Sequence, residues 1–130
     1  MSTIQYDDSP YAVRDDLVGA HQRAWDHLSR PGSWLTGDER VNVMAETRHA
    51  RSCATCARIK DALSPFAVTD AHEAGTDLPE NWVNMIHLIV ADPGRLTHSW
   101  YKKTLESGIA ETHFVEIVSV VAHTTAIDTF

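Results

Sequence analysis

The sequence predicts an all-α fold of about five or six helices. Three observations predict it: apolar residues recur at helical spacing, proline and glycine punctuate the ends of those stretches, and no hairpin dipeptide or convincing strand pair occurs. A chain of 130 residues makes one ordinary domain, since single cores form at roughly 100–150 residues. Residues 1–8 are expected as a loose tail and 9–130 as the helical domain.

The elements follow in order. Ser9-Pro10 sets a cap before a first-turn proline, and Val13, Leu17, Ala20, Ala24 and Leu28 carry a first helix until Arg30-Pro31-Gly32 ends the pattern. Thr36-Gly37-Asp38-Glu39 has capping-box spacing, in which the threonine oxygen and the Glu39 carboxylate each satisfy a backbone donor, so a second helix starts near Gly37. Ser52 can cap a further stretch from Cys53 to Leu63, or the second helix can run on unbroken; Ser64-Pro65 stops it either way. Residues 65–77 show no period and read as a loop. Pro79 opens a helix bearing Trp82, Val83, Ile86, Ile89 and Val90, closed by Asp92-Pro93-Gly94. Leu96, Trp100 and Leu105 carry the next as far as Ser107-Gly108.

The segment from Ala110 to Phe130 is rich in β-branched residues. Its apolar positions nonetheless repeat nearer every three to four residues than every two, so it is expected as a buried helix. No Gly, Asn or Pro closes it, which points to a chain that continues or a helix covered by a second subunit. Setting Leu35 against Ile109 places Val41 over Val115 and Val43 over Ile117, a faint internal repeat whose first copy alone holds cysteines.

Composition excludes several classes. At 43% hydrophobic and 22% charged the chain is too apolar for disorder, yet no apolar run approaches the roughly 18 residues of a membrane span. The stretch Met1 to Asp8 lacks the basic and apolar regions of a secretory signal, so the expected location is the cytoplasm. A net charge of −7 opposes sequence-independent binding to nucleic acid. Arg48, Arg51, Arg58 and Lys60 are a local exception, bracketing the only two cysteines, which are too few for a disulfide framework of the secreted kind.

Those cysteines carry the strongest signal. Cys53 and Cys56, three apart, can share one helix face and form a disulfide, and the nearby cations and a helix start favour the reactive thiolate. The alternatives are inert packing of two small apolar residues, or half of a zinc site. Zinc is the weaker of these, because no second cysteine pair exists and the histidines lack paired spacing, so no metal or cofactor is expected. Attachment of c-type haem is disfavoured by Ala57 after Cys56. On an unbroken second helix, Glu46, His49, Cys53 and Cys56 would form one stripe in which a carboxylate orients an imidazole and the imidazole deprotonates a thiol; a break at Ser52 would leave Glu46 and His49 a solvated pair. His21, His27, His98 and His113 fall in surface-like contexts, His87 and His123 on apolar faces that suit a hydrogen-bonded core histidine, and His72-Glu73 is a weak metal candidate. Trp25, Trp34, Trp82, Trp100 and Phe66 are assigned to the core.

The stretches Cys53-Ala54-Thr55-Cys56-Ala57-Arg58-Ile59-Lys60-Asp61-Ala62-Leu63-Ser64-Pro65, Ala91-Asp92-Pro93-Gly94-Arg95-Leu96-Thr97 and Phe114-Val115-Glu116-Ile117-Val118 carry a family likeness. From Trp34 to Phe130 the chain resembles the alkylhydroperoxidase D / carboxymuconolactone decarboxylase family, in its peroxidase-related branch. The resemblance implies an all-α fold, a homo-oligomer, and a two-cysteine cycle in which Cys56 attacks a small-molecule peroxide to give a sulfenic acid that Cys53 resolves, with a thiol reductant restoring both. For the family's upstream glutamate the chain offers Glu39 or Glu46, and it carries Thr55 and Lys60 where members of the family carry histidine. Two other functions fit the same likeness: a helical oligomer that binds without thiol chemistry, and a decarboxylase-like acid/base enzyme with Arg48 or Arg95 clamping a carboxylated ring compound.

Overall fold

The structure, a computed structural model, describes residues 3–130, and among these every regular element is helical. In chain order they are α1 (Asp15–Leu28), α2 (Gly37–Ala50), α3 (Ala54–Asp61), α4 (Glu80–Ala91), α5 (His98–Glu106) and α6 (Glu111–Thr129), with single 3₁₀ turns at Pro65–Ala67 and Pro93–Arg95. The all-α fold expected from the sequence is the one observed. Helices α2, α4 and α6 pack against one another, α3 lies on α4, and α1 leans on α2 and α6. Val43, Met44, Met85, Ile86, Ile117, Val120 and Val121 fill the middle. No helix among the described residues is long and apolar enough to cross a membrane.

Local chemistry explains most boundaries. The capping box forms: Thr36 Oγ1 accepts from the Glu39 N–H at 3.1 Å, and the Glu39 carboxylate accepts from the Thr36 N–H at 2.9 Å. Thr97 caps α5 by accepting from the Trp100 N–H at 3.1 Å. Gly108, at φ +109°, takes the left-handed turn that reverses the chain into α6.

The first helix departs from expectation. Helix α1 begins at Asp15 and not at Pro10, because Arg14 is extended and the Ser9 hydroxyl is engaged in a turn with Tyr11. Asp15 and Asp16 then fill the first turn, where the positive end of the helix favours acidic side chains. The expected tail is anchored at two residues, Ile4 and Tyr6. Ile4 is buried in the core and its N–H donates to Gln22 Oε1 at 2.6 Å, while Tyr6 reaches His21 and the Phe130 ring. Residues 1 and 2 of that tail lie outside the described residues.

Helix α6 buries one face only, through Ile117, Val120, Val121 and Thr124, and turns Val115 to solvent. The pairing of Leu35 with Ile109 aligns the first residues of α2 and α6, Gly37 and Glu111, and matches burial: Val43 and Ile117 are inside, Val41 and Val115 outside. Trp25 and Trp82 belong to the core as expected, whereas Trp34 and Phe66 are exposed.

Candidate functional site

The break between α2 and α3 decides the geometry around the cysteines. Helix α2 ends at Ala50, and the Ser52 hydroxyl donates to the His49 carbonyl at 3.0 Å, closing α2 in place of capping α3. Cys53 is itself the N-cap of α3, and Cys56 falls in its first turn. The continuous stripe of Glu46, His49, Cys53 and Cys56 therefore does not exist.

What replaces it comes from further along the chain. His87, in the middle of α4, places Nδ1 3.3 Å from Cys56 Sγ and Nε2 2.8 Å from Glu46 Oε2, with both Glu46 and His87 0% exposed. Glu46 also accepts from the Thr76 hydroxyl at 2.7 Å and from the Gly75 N–H at 3.1 and 3.2 Å. Burial pushes this carboxyl up, but the hydrogen bonds from His87, Thr76 and Gly75 outweigh it and hold it below the usual carboxylate range. An ionised Glu46 is acceptor-only, so His87 donates from Nε2, and in its neutral form it presents the Nδ1 lone pair to the Cys56 thiol.

The loop before α4 supplies the other wall. His72 Nδ1 lies 3.4 Å from Cys56 Sγ and 3.8 Å from Cys53 Sγ. The loop is held down by the Thr55 hydroxyl donating to the Ala71 carbonyl at 2.8 Å and by the Glu73 N–H donating to Cys53 Sγ at 3.4 Å. Burial, with help from the neighbouring His87, lowers the His72 pKa to about 4, so this ring is neutral. Burial first, then Cys53, then Glu46 and Glu73 push the Cys56 thiol up to about 12. Cys56 therefore rests protonated, and its proton has a ready acceptor in His87.

Both cysteines are free and buried, with their sulfurs within 4.8 Å of each other. Of the two, Cys56 borders open space. Cys56 lines a cavity of about 290 Å³ with Arg51 and Lys60, and His72 lines a second of about 320 Å³ walled by Phe66, Met85, Leu88 and Trp100.

Of the residues expected at the site, Glu46, Cys53 and Cys56 come together. His49 lies beside the cluster without bonding to it: its ring centroid is 6.3 Å from that of His87 and it packs against Gly75, where a Cβ would lie 2.5 Å from His49 Cγ, while its Nε2 has no hydrogen-bond partner among the described residues. Glu39 is occupied in the capping box at the far end of α2. The four cations also divide. Arg48 pairs with Asp128 over the Trp25 ring and Arg58 pairs with Asp70, leaving Arg51 and Lys60 beside the Cys56 cavity. Arg95 binds the carbonyls of Ile59 and Ala62, so neither Arg48 nor Arg95 is poised as a substrate clamp. His123, expected on an apolar face, is exposed on α6 and bonds the Ser119 carbonyl.

The sequence places neither His87 nor His72 beside the cysteines: His87 reads as a hydrogen-bonded core histidine, which it is, and His72, with Glu73, as a weak metal candidate. His87 had a signal: it sits in Met85-Ile86-His87-Leu88 on a helix too apolar to be a surface element, and a buried imidazole requires partners. Compared with known proteins, the chain matches no family model, and no curated protein or solved structure is significantly similar to it.

Proposed function

We propose that the chain is a two-cysteine thiol oxidoreductase of the peroxidase type. The observation that carries this reading is the line of contacts from Glu46 through His87 to Cys56, at 2.8 and 3.3 Å, which has the form of a nucleophile, a base and the group that orients the base. The family likeness around Cys53 to Pro65 supports a hydroperoxide as the oxidant. His87 on α4 then takes the part for which Thr55 and Lys60 are unsuited.

In this cycle His87 Nδ1 accepts the Cys56 proton as the sulfur attacks the terminal hydroperoxide oxygen. The O–O bond breaks, the proton passes to the departing alkoxide, and the products are an alcohol and a Cys56 sulfenic acid. The Cys53 thiol attacks that sulfur, forming the disulfide and releasing water. An external dithiol reduces the disulfide and leaves as its own disulfide, restoring both thiols. The cavity beside Arg51 and Lys60 gives the peroxide its approach.

Peptide mass spectrometry after a hydroperoxide pulse on reduced, metal-free protein tests the reading. Cys53 and Cys56 should be found linked, and Cys53→Ser should trap the sulfenic acid on Cys56. Two free thiols after the pulse would remove the proposal.

A further inference from the structure

We propose that Cys53, Cys56, His72 and His87 together form a tetrahedral binding site for a divalent zinc ion. One ligand atom from each residue lies within 4.8 Å of all the others, and three of the four residues are buried. This is an S₂N₂ donor set, the kind that selects zinc over harder cations.

The spacing fits an ion. With Zn–S of about 2.3 Å and Zn–N of about 2.0–2.1 Å at tetrahedral angles, a sulfur and a nitrogen ligand stand about 3.6 Å apart. The observed S···N separations, 3.3 Å for Cys56–His87, 3.4 Å for Cys56–His72 and 3.8 Å for Cys53–His72, straddle that value. The remaining donor pairs lie within 4.8 Å, so modest side-chain movement would bring all four onto one ion.

A second observation concerns the other nitrogen of His87. Histidine ligands of zinc characteristically donate their other ring N–H to a carboxylate, which fixes the tautomer and aims the free nitrogen at the metal. His87 is held that way, with Nε2 on Glu46 Oε2 at 2.8 Å and Nδ1 turned into the cluster. The Glu73 N–H on Cys53 Sγ at 3.4 Å is the sort of backbone donor that stabilises a coordinated thiolate. Sequence spacing hid the site, because the two histidines come from the loop and from α4 and are not paired along the chain.

The zinc site does not rest on the thiol cycle, although the two use the same sulfurs. Zinc binding without peroxide turnover would sink only the cycle, and turnover without zinc binding would sink only the site.

The test is reconstitution of the full, reduced, chelator-treated protein with zinc chloride, followed by native mass spectrometry and competition against a chromophoric chelator. One zinc per chain is expected, with both cysteines protected from iodoacetamide until the metal is removed. Cobalt in place of zinc should give the intense visible bands of a tetrahedral site together with a thiolate charge-transfer band. His72→Ala, on a loop and checked for folding by circular dichroism, should weaken zinc by at least about tenfold, since even outer-shell changes cost 10–100-fold. Three results would each overturn the proposal: no retained zinc, pale six-coordinate cobalt, or equal zinc affinity in a Cys53→Ser/Cys56→Ser variant.

Discussion

Replacing Glu46 by glutamine changes the atom that faces His87 while leaving the shape of the site nearly intact. The glutamine oxygen can still accept from Thr76 and Gly75, the donors that now reach Glu46 Oε1 at 2.7 and 3.2 Å. Its NH₂ then stands where Oε2 now accepts from His87, and two donors would meet at 2.8 Å. The ring escapes by moving its proton to Nδ1, so that Nε2 accepts from the new amide and an N–H points at Cys56. The base is lost although no heavy atom needs to move far. Exchanging a charge-assisted bond for a neutral one should cost about 1–2 kcal/mol of stability, less than the 3–5 kcal/mol of stranding a buried charge. The rate of hydroperoxide consumption should fall far more, by about 10²–10⁴, the usual contribution of a positioned general base. The assay is single-turnover oxidation of Cys56 in metal-free protein, with ¹⁵N shifts of the His87 ring reporting the tautomer. A Glu46→Gln protein that is folded, has switched tautomer, and reacts within about twofold of the parent would refute the relay.

Other expectations follow from particular contacts. Gly75→Ala puts a methyl against His49, which should cost about 1–3 kcal/mol in urea denaturation, and His49→Ala in the same chain should recover only part of that loss, because alanine keeps the Cβ that lies 2.8 Å from the new methyl. His49→Ala alone should leave Cys56 oxidation within about twofold of the parent, because its ring is not brought to the sulfur; a larger fall would return His49 to the mechanism. Glu116 is buried and accepts from Arg40 Nε at 2.9 Å and from the Trp34 and Leu35 amides; burial raises its pKa but these partners outweigh it and hold the carboxyl below its ordinary range. The unfolded chain therefore binds this proton more readily than the folded one. The stability Glu116 contributes is complete above the unfolded value of about 4.3 and is lost as pH falls through the folded value. Glu116→Gln should cost about 1–3 kcal/mol at neutral pH, and the gap to the parent in urea midpoints should narrow on acidification; a constant gap would contradict the assignment.

The helices were legible because their signals are local. The capping box at Thr36 to Glu39, the stops at Pro31-Gly32 and Pro93-Gly94, and the apolar period after Ala110 each depend on residues within a turn or two of one another. Where an element is governed from a distance, local reading failed. Ile4 and Tyr6 look like tail residues until Gln22, His21 and Phe130 are brought beside them, and Pro10 looks like a helix start until Arg14 is seen extended. The site divides the same way. Cys53 and Cys56 announce themselves by spacing, and Glu46 was found as a carboxylate one helix upstream. His49 is nearer than His87 along the chain, but the break at Ser52 carries the cysteines off the α2 stripe, His49 packs against Gly75, and the packing of α2 on α4 brings His87 to Glu46.

The loop from Ala71 to Thr76 is tied down almost wholly by side chains of the site it covers: Thr55 on Ala71, Cys53 on Glu73, and Glu46 on Gly75 and Thr76. The Glu73 and Gly75 amides are therefore built-in reporters, since one donates to the Cys53 sulfur, whose state changes in the cluster, and the other to the carboxylate that holds His87. Their exchange with deuterium measures how firmly the sulfur and the carboxylate hold them, with no label attached to either cysteine.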